Sequence, residues 1–169
     1  MEKTTKIKLN LACGQMYLKG FINIDNKSQY DGTFNVDMEA DIKLLDWDEN
    51  SVDEILLSHF MMYVHINEAE KLFKRWYGWL KKNGRLVIET GDIRKICCNI
   101  LYTNNPDVIN GTNGVMQLYG WETTAGHTWG WCADTITPLL HNAGFTDIYN
   151  LEGGTHNRPE RDITITCIK

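Results

Sequence analysis

The amino-acid sequence predicts an α/β protein with a mostly parallel sheet between helical layers. Three observations lead there. Strand-like and helix-like apolar patterns alternate along the 169 residues, the order expected of βα units. The run Val52-Asp53-Glu54-Ile55-Leu56-Leu57-Ser58 is nearly continuous in apolar character, as in a strand covered on both faces. The first strand ends in a glycine turn and the second in an acid, Asp25, and ligands of open α/β sheets bind at such strand ends.

Each element has its own signal. Ile7, Leu9 and Leu11 alternate with Lys8 and Asn10 until Ala12-Cys13-Gly14 breaks the run, which reads as a strand feeding a tight turn. Phe21 to Ile24 is a second strand and Phe34 to Met38 a third, with Glu39-Ala40-Asp41 as a loop. Val52 to Ser58 is the fourth. The next helix is the best signalled: Asn67 and Glu70 form a capping box, and Ala69, Leu72, Phe73, Trp76 and Leu80 share a face. Lys81-Lys82 and Gly84 mark its exit. Arg85 to Glu89 is the fifth strand, and Asp92 caps a helix whose apolar face is Ile93, Ile96, Cys97, Ile100 and Leu101. Ile136, Leu139, Leu140 and Ala143 form a last helical stripe closed by Gly144, before strands at Asp147 to Leu151 and Ile163 to Ile168. No repeat, low-complexity tract or linker divides the chain, so residues 1–169 are read as one domain.

Composition excludes several function classes. A hydrophobic fraction of 43% with 23% charged residues is ordinary for a globular chain. The net charge of −5 argues against a duplex nucleic-acid surface, because neutralising phosphates takes clustered Lys and Arg. The densest basic stretch, Lys71, Lys74, Arg75, Lys81 and Lys82, is explained by a solvated helix face. No long apolar segment follows the first six residues, so neither a leader nor a membrane span is expected, and a cytoplasmic location is. The cysteines (Cys13, Cys97, Cys98, Cys132 and Cys167) are odd in number and lack a Cys-x-x-Cys pair. They fit reduced, mostly buried thiols.

The Gly14 turn and Asp25 together suggest a nucleoside site. Glycine takes the Cβ out of a ligand's path, and a carboxylate accepts hydrogen bonds from both ribose hydroxyls. An ordinary strand-turn-strand gives the same pattern, so the rest of the chain decides. Leu9-Asn10-Leu11-Ala12-Cys13-Gly14 and Gly20-Phe21-Ile22-Asn23-Ile24-Asp25 resemble the start of small bacterial class I S-adenosylmethionine-dependent methyltransferases of the type 11-like group. The resemblance continues through Asp41, Leu45-Asp46-Trp47, Asn50 to Ile55 and Ser58-His59. It extends to Leu80 to Leu86, His127-Thr128-Trp129-Gly130 and Ala143-Gly144-Phe145. It implies a Rossmann-like fold with a seven-stranded, mostly parallel sheet and helices on both faces. It also implies methyl transfer from S-adenosylmethionine, with Asn10, Ala12, Cys13, Gly14, Asp25, Asp41, Ile42, Ser58 and His59 around the cofactor. In that family the Gly14 loop lies against the methionine part, the acid matching Asp25 holds the ribose, and the acid matching Asp41 meets the adenine. Ser58 and His59 match residues near the transferable methyl.

Departures from the family pattern locate what differs. Ala12 and Met16 stand where glycines are usual, and the connection from Cys13 to Phe21 is short for a parallel crossover, which normally takes about a dozen residues. The first helix is therefore expected to shrink to a turn. The family's Leu-Glu-His after the fourth strand is Met62-Tyr63-Val64 here, a change on the acceptor side. That side is expected from residues 102–133, a long loop with Tyr119, Trp121, His127, Trp129 and Trp131. Long loops in compact domains are often binding loops. His127 and His59 are the candidate bases, and Tyr63, Trp129 and Trp131 the candidate acceptor contacts; the bland alternative is that these rings cover the sheet edge. The acceptor expected is a small molecule, with a sugar or sugar nucleotide suggested by resemblance, and a homo-oligomer is compatible with the sequence.

Two other function classes stand beside the enzyme: a non-catalytic S-adenosylmethionine-binding partner subunit, and an NAD-dependent short-chain dehydrogenase. Tyr77 and Lys81 have the dehydrogenase spacing, yet Gly-x-Gly-x-x-Gly is absent and Asp25 follows the turn too soon. A zinc site from His59, His65, His127, Cys132 and His156 lacks a close ligand pair, so no metal is expected. Cys13 has no nucleophile-elbow context.

Overall fold

The computed structural model describes residues 6–26, 34–120, 126–155 and 158–169. Trp121 and His156 lie outside the described residues, as do the first five.

Alternating apolar residues in short runs pair into one sheet. Its strands are β1 (Lys8–Leu11), β2 (Ile22–Asp25), β3 (Met38–Glu39), β4 (Val52–Ser58), β5 (Leu80–Gly91), β6 (Thr146–Leu151) and β7 (Asp162–Ile168). Their order is β3-β2-β1-β4-β5-β7-β6. β3, β2, β1, β4 and β5 are mutually parallel, and β7 runs antiparallel between β5 and β6. The chain moves outward from β1 to β3, returns, and continues on the other side from β4. That reversal between β1 and β4 is where such sheets open a crevice.

The helices are α1 (Ile66–Trp79), α2 (Ile93–Tyr102), α3 (Pro106–Asn110), α4 (Val115–Tyr119) and α5 (Ala133–Ala143). The expected stripes form the core. Leu9 and Leu11, Ile55 and Leu57, Leu86 and Ile88, and Ile163 and Ile165 meet Leu72, Phe73 and Trp76 of α1 and Ile136, Leu140 and Ala143 of α5. α1 and α5 pack on each other, whereas α2, α3 and α4 form a second group of mutual contacts.

Several boundaries differ from the sequence reading. The cap of α1 is His65, whose Nδ1 accepts from Asn67 N at 3.3 Å, so Asn67 sits inside the first turn. The helix ends at Trp79, and Leu80 passes directly into β5. Lys81 therefore lies on the strand, 2.7 Å from Asp53 Oδ2. The third strand is shorter and later than Phe34 to Met38. Its cause is Asp37, whose Oδ2 accepts from Asn23 N and Nδ2 at 2.8 and 2.9 Å and so occupies donors beside which a longer ladder would run. α2 keeps its Asp92 cap, with Oδ1 accepting from Arg94 N at 2.9 Å. Of its expected apolar face only Ile96 is fully buried, and Leu101 is 70% exposed, because the short α3 and α4 cover little of it. Gly144 closes α5 in the left-handed conformation at φ +106°. The segment read as loop from 102 to 133 contains α3 and α4, the first capped by Asn105 Oδ1 accepting from Asp107 N at 3.0 Å.

The parallel crossover from β1 to β2 contains no helix. Buried side-chain amides replace it. Asn10 Nδ2 donates to Met16 O at 2.7 Å and to Asn23 Oδ1 at 2.9 Å. Asn23 in turn accepts from Leu18 N and donates to Leu18 O and Phe21 O. Backbone groups left over when a helix is cut must find partners or stay wet, and these two asparagines supply the partners.

Candidate active site

The loops at the carboxyl ends of β1 to β4 surround a cleft of about 1360 Å³, more than the roughly 300–1,000 Å³ of a typical single-ligand pocket. Ala12, Cys13 and Gly14 follow β1, Asp25 ends β2, Asp41 and Ile42 follow β3, and Ser58 and His59 end β4; all eight line the cleft. Asn10, the ninth residue expected at the cofactor, does not line it. Asn10 is fully buried beneath the loop and pins Met16 O, so its role is to hold the loop's path.

At the β1 and β2 end of the cleft the backbone is open at Gly14. Its φ is +51°, and a Cβ there would meet nothing within 4 Å, so the backbone borders open cleft. Asp25 Oδ2 accepts from Gly14 N at 2.6 Å and Oδ1 from Asn26 N at 2.6 Å. The carboxylate thus fixes the turn while lying against the cleft. Ala12 takes the left-handed region that the usual glycine would occupy, at φ +53°, a strain of roughly 1–2 kcal/mol for a residue with a Cβ. Met16 lines the cleft without filling the space before Gly14. Asp41 Oδ1 accepts from Lys43 N at 2.8 Å, shaping the turn that carries Ile42. Burial, with the charge of Asp25 next, pushes the Cys13 thiol up to about 11, so at neutral pH it is an inert wall. Ser58 Oγ is buried without a hydrogen-bond partner, an orphan that a bound ligand can satisfy.

His59 stands at the far side of β4 with φ +56°, a backbone strain of the kind found at functional sites. Its Nε2 lies 3.4 Å from Asp162 Oδ2 and 3.3 Å from Arg161 Nη2. Asp162 and Arg161 are buried and paired, with Nε to Oδ1 at 2.5 Å and Nη2 to Oδ2 at 2.8 Å. A neutral imidazole can accept from the guanidinium, and a protonated one can donate to the carboxylate. The two neighbours therefore accommodate both protonation states of His59.

The aromatic acceptor wall is rearranged relative to expectation. Tyr63 lines the cleft; His127, Trp129 and Trp131 do not. Trp131 is 1% exposed, and its Nε1 donates to Met61 O at 2.7 Å. It is a core residue, because β5, α2 and the Met61–Tyr63 turn close around it. Trp129 packs edge-on against His65 at 5.0 Å, outside the cleft. His127 sits behind Tyr63, ring centroids 5.2 Å apart, with Nδ1 2.7 Å from Gln117 O. Since a carbonyl only accepts, Nδ1 carries the proton. Thr128 N also donates to Met62 O at 2.8 Å, so residues 127–131 are docked onto the turn after β4.

Burial holds the His127 pKa below its ordinary 6.5, with Arg161's charge acting in the same direction against the Gln117 hydrogen bond. The unfolded chain therefore takes up the proton first. His127's contribution to stability is present above pH 6.5 and is lost as pH falls below it toward the lower folded-state value. Urea melts across that range should show a stability decline that is shallower in His127→Gln; equal slopes would dismiss the effect.

Residues that sequence reasoning missed complete the wall: Lys43, Thr112, Gln117, Thr128, Arg158 and Arg161. No local pattern marks them, since Thr112 and Gln117 come from the α3–α4 region and the arginines from the β6–β7 connection. Tyr77 packs on Phe145 at 5.2 Å and under Lys169 Nζ at 4.8 Å, away from the cleft, which removes the dehydrogenase pair. Among the described residues no three His, Cys, Asp or Glu side chains group as a metal site. No described helix is long and apolar enough to cross a membrane.

Residues 19–88 match a family model described as a methyltransferase domain, a span that includes Asp25, Asp41, Ser58 and His59. No curated protein sequence matches the chain. It is similar to the structure of a SAM-dependent methyltransferase from Archaeoglobus fulgidus, with a TM-score of 0.64, 16% identity, and 99% of this chain and 87% of that chain covered. A second similar structure, an S-adenosylmethionine-dependent methyltransferase from Mesorhizobium loti, gives 0.65 and 13%, covering 96% and 90%. A third, a phosphoethanolamine N-methyltransferase 2 from Haemonchus contortus in complex with phosphomonomethylethanolamine and S-adenosylhomocysteine, gives 0.60 and 12%, covering 100% of this chain and 50% of that one. At these identities the likeness is one of architecture, and the architecture is the Rossmann-like α/β fold of the class I methyltransferases.

Proposed function

We propose that this chain is an S-adenosylmethionine-dependent methyltransferase acting on a small-molecule acceptor. The observation that carries the reading is the gathering of Gly14, Asp25, Asp41, Ser58 and His59 in one cleft at the carboxyl ends of β1 to β4. The methyltransferase match over residues 19–88 supports it. The residues fit the cofactor: an acid for the ribose, an open approach at Gly14, and the orphaned Ser58 hydroxyl. When bound, S-adenosylmethionine supplies an electrophilic methyl group on a sulfonium. The chain's own work is to hold the ribose with Asp25 and shape the adenine end with Asp41 and Ile42. Tyr63 and Met62 wall the cleft near His59. His59 takes the proton that an oxygen or nitrogen acceptor gives up, and the Asp162–Arg161 pair keeps the imidazole in place. His127 acts only through Tyr63, and Trp129 and Trp131 have no direct part.

Calorimetry with S-adenosylmethionine, S-adenosylhomocysteine and NAD tests the cofactor, followed by a labelled-methyl transfer screen that includes sugars and sugar nucleotides. NAD binding in place of the other two would reject the reading. Cofactor binding with no transfer to any acceptor would favour the partner-subunit class. In the active enzyme, His59→Gln is expected to lower kcat by a factor on the order of 10²–10⁴ while S-adenosylhomocysteine affinity stays near wild type. A loss below about tenfold would leave His59 a positioning role and no proton transfer.

A further inference from the structure

We infer that the β7 end of the cleft binds an oxyanion, a phosphate or carboxylate carried by the methyl acceptor; this rests on the methyltransferase reading above. The sheet order separates two ends of the cleft. Asp25 and Asp41 stand on the β2 and β3 side of β4, and Arg158 and Arg161 precede β7 on its other side. Arg161 is 3% exposed and shares its charge with Asp162. Its remaining contacts are His59 Nε2 and Thr112 O, the latter at 3.4 Å from Nη1.

Asp162 is also occupied from a third side, since Arg158 N donates to its Oδ2 at 2.9 Å. Its charge is therefore spent on Arg161. Arg158 differs. Its guanidinium touches only Thr112 Oγ1, at 3.5 Å, and has no ion-pair partner among the described residues. The other cation lining the cleft, Lys43, is paired with Glu68 at 3.1 Å. One exposed arginine without an ion-pair partner among the described residues thus lines the cleft of a protein whose net charge is −5. Guanidinium forks match planar and tetrahedral oxyanions with paired donors.

Gln117 adds a second polar anchor. It is 4% exposed, lines the same wall, and its Oε1 has no hydrogen-bond partner. Whichever way the amide is turned, one end lacks a conventional partner, because the other meets only Met62 Sδ at 3.6 Å. An acceptor anchored by its anion on Arg158 and steered by Gln117 would present its nucleophile beside His59, which touches Arg161.

The test titrates inorganic phosphate, and separately acetate, into the protein loaded with S-adenosylhomocysteine at constant ionic strength, followed by NMR or calorimetry. Saturable binding of one or both is expected, weakened about tenfold or more in Arg158→Gln and less in Arg158→Lys. S-adenosylhomocysteine affinity should be unchanged in both variants. Phosphate alone binding would assign a phosphate, and acetate alone a carboxylate. No saturable binding, or binding untouched by Arg158→Gln, would overturn the inference while leaving the cofactor reading intact. Competition between phosphate and S-adenosylhomocysteine would also overturn it, by giving the arginine to the cofactor's own carboxylate. Failure of S-adenosylhomocysteine to bind wild-type protein would instead remove the methyltransferase reading and this inference with it.

Discussion

Asp25→Ala is expected to weaken S-adenosylmethionine binding at least about tenfold, since hydrogen bonds to a charged group are worth roughly 1.5–3 kcal/mol. The carboxylate has two duties in this fold. It lines the cleft where the ribose is proposed to lie, and its two oxygens accept from Gly14 N and Asn26 N, each at 2.6 Å. Removing it frees both backbone donors and loosens the turn that borders the cofactor. Asp25→Asn does not rescue the site. Both oxygens accept from backbone N–H groups, so one side of an amide would set its own N–H against a donor. Calorimetry on both variants, with circular dichroism to confirm the fold, makes the measurement. Wild-type affinity in a folded Asp25→Ala protein would move the cofactor away from the β2 end of the cleft.

Trp131→Ala should cost roughly 3–5 kcal/mol of stability, the usual penalty for removing a large ring from a packed core. In a chain of this length that corresponds to a melting-temperature drop of roughly 6–20 °C. The ring is 1% exposed in the shared core, and its Nε1 holds the Met61 carbonyl. Trp129→Ala serves as the control. Trp129 is 37% exposed and meets His65 by its edge, so its removal should shift the melting temperature far less. Thermal denaturation of the two variants separates the roles of these neighbouring rings. A Trp131→Ala protein with wild-type stability and a raised acceptor KM would return Trp131 to the substrate wall.

The sequence by itself determined the strands and helices of the sheet and the candidate residues at the β1 and β2 ends of the cleft. Strand and helix periodicities are local properties, and each buried stripe on β1, β4, β5, α1 and α5 was legible from spacing alone. Gly14 and Asp25 were legible for the same reason, each at the end of a strand whose limits the pattern marks, whereas Ser58 and His59 were singled out only by the resemblance. The tertiary structure decided everything that depends on side chains distant in sequence. Asn10 moved from cofactor contact to loop support because its partner is Asn23, a residue of the next strand. Asp37 shortened β3 through bonds to that same asparagine. The acceptor wall was the least legible. An aromatic residue in a loop has the same composition signal whether it lines a pocket or fills a core, and the docking of residues 127–131 onto the Met61–Tyr63 turn buries Trp131 and sets His127 behind Tyr63. Arg158 and Arg161 lie about a hundred positions beyond His59 in the chain. Only the antiparallel insertion of β7 beside β5 carries them to the end of β4, where a charge with no local sequence pattern becomes part of the site.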